Sequence, residues 1–121
     1  MSEANKAAVR RIAEEVWNER KHDRIDEYFA TDYANTDPSC PEVKDLEQFK
    51  QWLTEIHNGF SEHHVIIEDM IAEGDKVAKQ WSVQATHTGD YMGIPATNKK
   101  TNMSGITIYR IVDGKVKECV W

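Results

Sequence analysis

Two side chains of this sequence combine a titratable group with a position that favours a ligand pocket, and the first is His87. It ends one side of an alternating strand pattern, just before a glycine-containing loop. Four apolar residues share its side of the backbone: Val77, Trp81, Val83 and Ala85. Because an imidazole has an unperturbed pKa of about 6.5, it suits proton transfer near neutral pH. We predict that His87 takes part in catalysis or contacts a ligand. The structural alternative is a ring that bonds the loop backbone.

The second titratable candidate is Asp37, which precedes Pro38 in the run Asn35-Thr36-Asp37-Pro38. A carboxylate inside an apolar cavity has its pKa raised by desolvation, which makes it a usable general base. An Asp before Pro is also a common turn residue that bonds its own loop. Both interpretations stay open. Tyr33, Asn35 and Tyr109 are candidate hydrogen-bond donors to a bound oxygen, with backbone partners as the alternative.

Large apolar side chains are the candidates for a ligand-binding wall, namely Trp17, Trp52, Phe60, Trp81 and Met103. The alternative is that they only fill the core. The other histidines are expected at the surface or at helix ends: His22, His57, His63 and His64. Because His63 and His64 are adjacent in a strand, they point to opposite sides and form a poor metal site. We expect no metal ligands.

Composition restricts the function classes. The 121 residues predict one domain, 1–121, and 40% hydrophobic with 30% charged residues is typical of a globular protein. A net charge of −6 disfavours nucleic acid and anionic membranes as partners. Two cysteines make no disulfide framework, and the N-terminus shows no signal peptide. A soluble, cytoplasmic protein is the expectation.

Periodicity predicts helices first and strands afterwards. The 3.6-residue period indicates a helix over Ala7 to Arg20, and Asp23 is expected to cap a short second helix. The segment Thr31 to Pro38 is expected to be irregular. Asp45 begins a third helix, with Gln48 as its capping-box partner.

After the third helix the period changes to two, which predicts about four strands. Hairpin turns are expected at Glu73-Gly74-Asp75-Lys76 and at Asp113-Gly114. Helices grouped before an antiparallel sheet predict an α+β domain with the helices covering one sheet face.

Several separated motifs resemble the SnoaL-like polyketide cyclases, also called ester cyclases. They are Ile67-Glu68-Asp69-Met70-Ile71-Ala72-Glu73-Gly74-Asp75-Lys76-Val77-Ala78, Thr86-His87-Thr88-Gly89-Asp90, Gly93-Ile94-Pro95-Ala96-Thr97, Ile108-Tyr109-Arg110 and Asp113-Gly114-Lys115-Val116. The resemblance covers nearly the whole chain. It implies the NTF2-like cone, a bent antiparallel sheet around a hydrophobic cavity. It also implies ring closure of a polyketide ester by intramolecular aldol condensation, without metal or organic cofactor.

The sequence departs from the pattern of these cyclases at the expected acid/base position. Thr101 and Asn102 stand where the family has an acidic residue, and neither can titrate. Asp37 resembles the general base of the related ketosteroid isomerases. The expected partner is a small, hydrophobic, carbonyl-containing ligand. The alternatives are a non-catalytic ligand-binding pocket and an isomerase or dehydratase.

Apolar residues also fall on the side of the strands that the helices leave uncovered. Ile66, Ile106 and Ile108 are the candidates. Because a broad exposed apolar face needs a partner, the sequence predicts a homodimer.

Overall fold

A computed structural model describes residues 2–121, with side chains from Glu3 onward. The helices are α1 (Ser2–Arg11), α2 (Ile25–Tyr28) and α3 (Leu46–Gly59). The strands are β1 (Phe29–Thr36), β2 (Glu62–Glu73), β3 (Lys76–Thr86), β4 (Lys100–Val112) and β5 (Lys115–Val120). Helices and strands are therefore segregated along the chain, apart from β1, and the predicted α+β class is confirmed. No helix in this part of the chain is long and apolar enough to cross a membrane.

The first helix begins earlier than predicted and changes its winding. The α-helical part, Ser2–Arg11, continues as a π-helix over Ile12–Asn18. Its predicted apolar stripe is buried, because Val9, Ile12 and Val16 have no exposed surface. Trp17 lies in this π-helical part and is buried in the core, with only 5% of its surface exposed.

The second helix is shorter than its sequence pattern suggests. His22–Arg24 form a 3-10 turn that leads into the single α-helical turn of α2. The predicted cap by Asp23 is wrong, since no side-chain capping bond forms at either element. Phe29 is extended and begins β1 instead of continuing the helix.

The predicted irregular segment Thr31–Pro38 is wrong for most of its length. Residues up to Thr36 belong to β1, which pairs in parallel with β5 at Asn35–Cys119 and Thr36–Val120. Polar residues hide its alternation in the sequence, and its partner strand lies at the other end of the chain. The sheet therefore has five strands instead of about four.

The third helix begins with the predicted capping box. The Gln48 backbone N–H donates to Asp45 Oδ1 over 2.8 Å, and Gln48 Oε1 accepts from the Asp45 backbone N–H over 3.3 Å. At its other end the Arg20 guanidinium donates to the carbonyl oxygens of His57, Phe60 and Ser61. The bond to His57 satisfies a carbonyl that the end of the helix leaves without a partner, and the other two hold the segment between α3 and β2.

The strands form one mixed sheet in the order β1-β5-β4-β3-β2. The hairpin predicted at Gly74-Asp75 joins β2 to β3, and that at Asp113-Gly114 joins β4 to β5. Asp113 and Gly114 have φ angles of 53° and 78°, the left-handed pair that a two-residue hairpin favours. The sheet is curved and does not close, so its inner face can hold the helices and a cavity.

Candidate functional site

A cavity of about 340 Å³ lies between the helices and the inner face of the sheet. Its apolar wall consists mainly of aromatic and methionine side chains: Trp17, Trp52, Trp81, Met103 and Trp121. Three of these, Trp52, Trp81 and Met103, are among the predicted ligand contacts. Phe60 is not among the lining residues and stacks instead on the His87 ring. The volume is within the range of small-molecule sites.

Gly105 allows the Trp81 indole to lie flat against β4. A Cβ atom at Gly105 would stand 2.6 Å from Trp81 Cζ2, closer than any real contact allows. The indole Nε1 donates to Thr107 Oγ1 over 2.9 Å, which fixes the ring orientation. The wall of the cavity is therefore set by a glycine and a threonine on the neighbouring strand.

Lys79 is the least expected member of the cavity wall. It lies on the inner face of β3, pairs with Thr107 across to β4, and is 1% exposed. Its Nζ stands 5.1 Å from the centroid of the Tyr109 ring, a cation–π distance. Burial lowers the pKa of Lys79 to about 8, with the Cys119 thiol opposing that change.

His63 also lines the cavity, which corrects the expectation of a surface position. Its ring stacks on Trp17 at a centroid distance of 5.7 Å, and its buried Nδ1 has no hydrogen-bond partner among the described residues. Burial and the positive charge of Arg20 lower the pKa of His63 to about 4. The ring is therefore neutral at pH 7. His64, on the opposite face as predicted, is exposed.

His57 lies in the last turn of α3, which agrees with the predicted helix-end position, but its side chain is buried. Its Nδ1 shares a hydrogen bond of 2.6 Å with His22 Nε2, and its Nε2 bonds the Trp17 carbonyl oxygen over 3.0 Å. Burial, followed by the charge of Arg20, lowers the pKa of His57 to about 4. His57 thus anchors the helix behind the cavity and does not line it.

Asp37 lies at the edge of the cavity together with Ser39, just after β1 ends. Its Oδ1 accepts from the Ser39 backbone N–H over 2.9 Å and from Ser39 Oγ over 2.7 Å. These are the local bonds that an Asx turn predicts. Asp37 therefore holds its own turn and presents a carboxylate to the cavity at the same time.

The predicted hydrogen-bond donors Tyr33 and Asn35 are engaged with each other. Tyr33 Oη donates to Asn35 Oδ1 over 2.6 Å, and the Trp121 Nε1–H donates to the same oxygen over 2.7 Å. Asn35 Nδ2 donates to the Val43 carbonyl oxygen over 3.0 Å. Neither Tyr33, Asn35 nor Tyr109 is among the lining residues, so a direct ligand contact by these three stays a prediction.

His87 lies on the inner face as predicted but beneath a loop, and it is not among the lining residues. Its Nδ1 is 3.1 Å from Thr97 Oγ1, and its ring stacks on Phe60 at 5.2 Å. Its backbone N–H and carbonyl oxygen bond Lys99 and Asn98. These contacts match the structural alternative, in which His87 holds the loop. Its buried Nε2 has no partner among the described residues.

The inner face of β4 carries no carboxyl group near the cavity. Thr101 and Asn102 are exposed, and Met103 and Gly105 follow them at the wall. Within residues 3–121, no cluster of three or more His, Cys, Asp or Glu side chains is arranged to hold a metal. The titratable groups at the cavity are therefore Lys79, His63 and Asp37.

Sequence reasoning missed Lys79 and His63, although a signal for each exists. Lys79 falls between Val77 and Trp81 on the apolar side of an alternating strand, and side chains on that side face inward. His63 is two residues before Val65 in the same strand, so both side chains point to the same side, and Val65 is buried. In both cases the general tendency of charged and polar residues to be exposed hid this signal, which is the position of each residue on the inward side of its strand.

A curved, open sheet that holds helices and an apolar cavity defines an NTF2-like α+β fold. The SnoaL-like polyketide cyclase profile matches residues 7–121. The aklanonic acid methyl ester cyclase DnrD of Streptomyces peucetius is 31% identical over 115 residues, which cover 91% of this chain and 77% of that protein. The chain belongs to the SnoaL-like polyketide cyclase family.

Two further comparisons agree with this family. The nogalonic acid methyl ester cyclase of Streptomyces nogalater is 29% identical over 106 residues, covering 84% of this chain and 78% of that protein. The crystal structure of a SnoaL-like polyketide cyclase from Jannaschia sp. CCS1 superposes with a TM-score of 0.86 at 22% identity, covering 99% of this chain and 85% of that one. This superposition confirms the predicted cone.

Proposed function

We propose that this protein closes a ring in a small, largely apolar ester that also carries a ketone, by an intramolecular aldol reaction without a cofactor. The cavity carries this proposal, because its aromatic wall encloses three groups that can exchange protons: Lys79, His63 and Asp37. Family membership supports the reaction class. The named relatives act on methyl esters of aklanonic and nogalonic acid, which supports an ester as the substrate.

The reaction requires one proton acceptor and one proton donor. A base removes a proton from the carbon next to a carbonyl, and the enolate carbon then attacks a second carbonyl of the same molecule. The resulting alkoxide takes up a proton, so substrate and product are isomers. Because the wall is largely apolar, charges that develop during the reaction interact more strongly than they would in solution.

We assign the base to Asp37, with His63 as the second proton-exchanging group. Ser39 occupies only Oδ1 of Asp37, which leaves Oδ2 for the substrate proton. The neutral His63 ring lines the cavity, and its buried Nδ1 has no hydrogen-bond partner among the described residues. His87, our first candidate, contacts the loop and Phe60, so we expect its contribution to be indirect.

Turnover of aklanonic acid methyl ester by matched variants tests these assignments. We expect Asp37→Asn to lower kcat by about 10²–10⁴-fold, the usual effect of removing an acid/base group. Asp90→Asn, a change in the exposed loop, is the control and should leave kcat unchanged. Product identity is read by mass, which stays equal for cyclisation, and by NMR, which detects the new carbon–carbon bond. If Asp37→Asn and His63→Gln both retain wild-type kcat, the base assignment fails.

A non-catalytic pocket for a hydrophobic ligand is the second candidate function. The absence of a carboxyl group on β4 near the cavity, in the described part of the chain, favours it. Saturable binding of the ester without conversion would support this candidate against the cyclase. A product lighter by one water would instead indicate a dehydratase, and an isomer without a new ring would indicate an isomerase.

We also propose a cytoplasmic homodimer that associates through the outer face of the sheet. Ile106 and Ile108 are exposed on that face, Ile66 is half-buried, and Val120 lies next to Ile108 in the strand register. An apolar surface of this kind is stabilised when a second copy covers it. The free thiols of Cys40 and Cys119 support a reducing compartment.

A further inference from the structure

Lys79 differs from the other lysines of the described chain in its surroundings. It is the one buried lysine among residues 3–121. Four others pair with surface carboxylates: Lys6, Lys21, Lys50 and Lys117. Among the described side chains, Lys79 has no carboxylate within ion-pair distance. A buried ammonium without a counter-ion costs stability, so a role is needed to account for it.

The groups that face Lys79 leave its amine without a negative partner. Cys119 approaches from β5, and burial raises the pKa of that thiol to about 12. Tyr109 approaches from β4, and burial raises the pKa of its phenol as well. On β2 the residue opposite Lys79 is Met70, which carries no charge. His63 lies further along that strand, opposite Ala85, and is neutral at pH 7. Asp37 bonds Ser39 at the edge of the cavity. The amine therefore stands against neutral groups on both neighbouring inner-face strands.

We propose that the Lys79 Nζ is a nucleophile that forms a covalent imine with the ketone of the substrate. This inference rests on the proposed function, since it needs a carbonyl compound in the cavity. The geometry that supports it is a buried, unpaired primary amine in the wall of an apolar cavity of ligand size. Lys79 is then a catalytic residue for the ring closure.

The covalent route balances without an external reagent. The nitrogen lone pair attacks the carbonyl carbon, a proton passes from nitrogen to the oxygen, and with one further proton from solvent water leaves to give an iminium ion. Loss of the adjacent C–H proton to Asp37 or His63 gives an enamine. The enamine carbon attacks a second keto group of the substrate, and the alkoxide that forms takes up the released proton. Water then adds to the iminium carbon, and its cleavage restores the Lys79 amine. The water released in the first half is consumed in the second.

The state of the amine supports the same route. With a pKa of about 8, roughly a tenth of the Lys79 side chains carry a free lone pair at pH 7. An exposed lysine, with an ordinary pKa of about 10.4, has a free fraction more than a hundredfold smaller. Lys79 should therefore react with carbonyl compounds in preference to the surface lysines.

Reaction with 1-phenyl-1,3-butanedione tests the proposal directly. A primary amine and a 1,3-diketone condense, with loss of water, to an enaminone that absorbs in the near ultraviolet and needs no reductant. We expect one adduct per full-length chain, with a mass gain of one diketone minus one water and peptide mapping to Lys79. The rate should rise with pH and reach half its maximum near pH 8.

Two variants of the same strand provide the controls. Lys79→Met should lose the adduct while it unfolds cooperatively on heating, and Lys76→Met, at the exposed start of β3, should keep it. Absence of an adduct in the wild type, or labelling spread over the surface lysines, would overturn the proposal. Cyclisation of the ester at the wild-type rate by Lys79→Arg, which keeps the charge without the nucleophile, would overturn it as well.

These outcomes separate this inference from the proposed function. Condensation with the diketone does not require ring closure. Ring closure without any Lys79 adduct overturns the covalent route alone. If Lys79 forms the adduct but the protein converts no ester, the proposed cyclase function fails and the assignment of Lys79 as a nucleophile stands.

Discussion

The buried Lys79 reduces the stability of the native state at neutral pH. Its ammonium has left water for an apolar wall, and only the Tyr109 ring and the Cys119 thiol offset the lost hydration. Replacement of a buried charge by an apolar group of similar shape is often neutral or stabilising. A residue that destabilises the fold and lines the cavity is typical of a functional position.

We predict that Lys79→Met raises the free energy of unfolding by about 1–3 kcal/mol at pH 7. Met has nearly the same length as the apolar part of Lys and needs no counter-ion. Urea denaturation of both proteins, followed by far-ultraviolet circular dichroism, measures the difference. A Lys79→Met protein less stable than the wild type would show that the ammonium has a stabilising partner in the native state.

The pH dependence of that difference has a defined sign. The native pKa of about 8 lies below the ordinary value of 10.5, so between these values the unfolded chain binds a proton that the native chain does not. The cost of Lys79 is therefore largest below pH 8 and diminishes as the pH rises to 10.5. The gain in the free energy of unfolding from Lys79→Met should therefore diminish between pH 8 and pH 10.5.

At the scale of single residues, the sequence predicted which side of β3 faces inward, and the burial of Val77, Val83 and Ala85 confirms it. It did not predict which of the inward groups meets the cavity. The side chain of His87 falls on the inward side, but the loop from Thr88 to Lys99 covers it. That covering depends on tertiary contacts between the loop and the end of α3, which no local pattern encodes.

At the scale of elements, the end of α3 is joined to the first helix by the buried His57. His57 bonds both His22 and the Trp17 carbonyl oxygen, while Arg20 binds the His57 carbonyl oxygen in the last turn of α3. Burial, followed by the positive charge of Arg20, lowers the pKa of His57 and of His63. The contact between these elements therefore requires neutral rings.

We predict that acid weakens this contact between pH 6.5 and pH 4. The native pKa of about 4 lies below the ordinary 6.5 for both His57 and His63, so in this window the unfolded chain binds protons that the native chain excludes. Each ring should lower the free energy of unfolding by about 2 kcal/mol at pH 5. Thermal unfolding at pH 7 and pH 5 measures the loss.

His57→Gln is the informative variant for the acid effect, and His64→Gln is its control. Glutamine keeps a hydrogen-bonding group and cannot titrate, so His57→Gln should lose less stability between pH 7 and pH 5. The exposed His64 should make no difference. Equal acid sensitivity of the wild type and both variants would mean that other groups govern it.

Elements with a local signal were predicted well, and β1 was not. The capping box at Asp45 and the turn at Asp113-Gly114 depend on neighbouring residues, and both are confirmed. β1 depends on a partner some 84 positions away along the chain, as in the pairing of Asn35 with Cys119. Its inward side carries Tyr33 and Asn35, whose polar groups bond each other instead of forming an apolar stripe.

At the scale of the whole molecule, the outer sheet face should set the oligomeric state. We predict that the double variant Ile106→Glu/Ile108→Glu is a folded monomer, because four like charges in a dimer interface repel and lose hydration. Light scattering at micromolar concentration should give a dimer mass for the wild type. Lys76→Glu, at the exposed start of β3, is the control that should leave the dimer intact. A monomeric wild type would contradict the prediction.

The placement of β1 beside β5 has a consequence for biosynthesis. A ribosome releases β1 early, yet its only strand partner, β5, is absent until residues 115–120 emerge, and before then its backbone can bond only the short bridge at Lys44 and Asp45. Such non-local pairing slows folding, because the intervening chain must close before the contact forms. Trp121 completes the join, since its backbone N–H bonds the Thr36 carbonyl oxygen and its indole bonds Asn35. A nascent chain stalled before Lys115 would therefore expose the unpaired edge of β1 and be a client for chaperones.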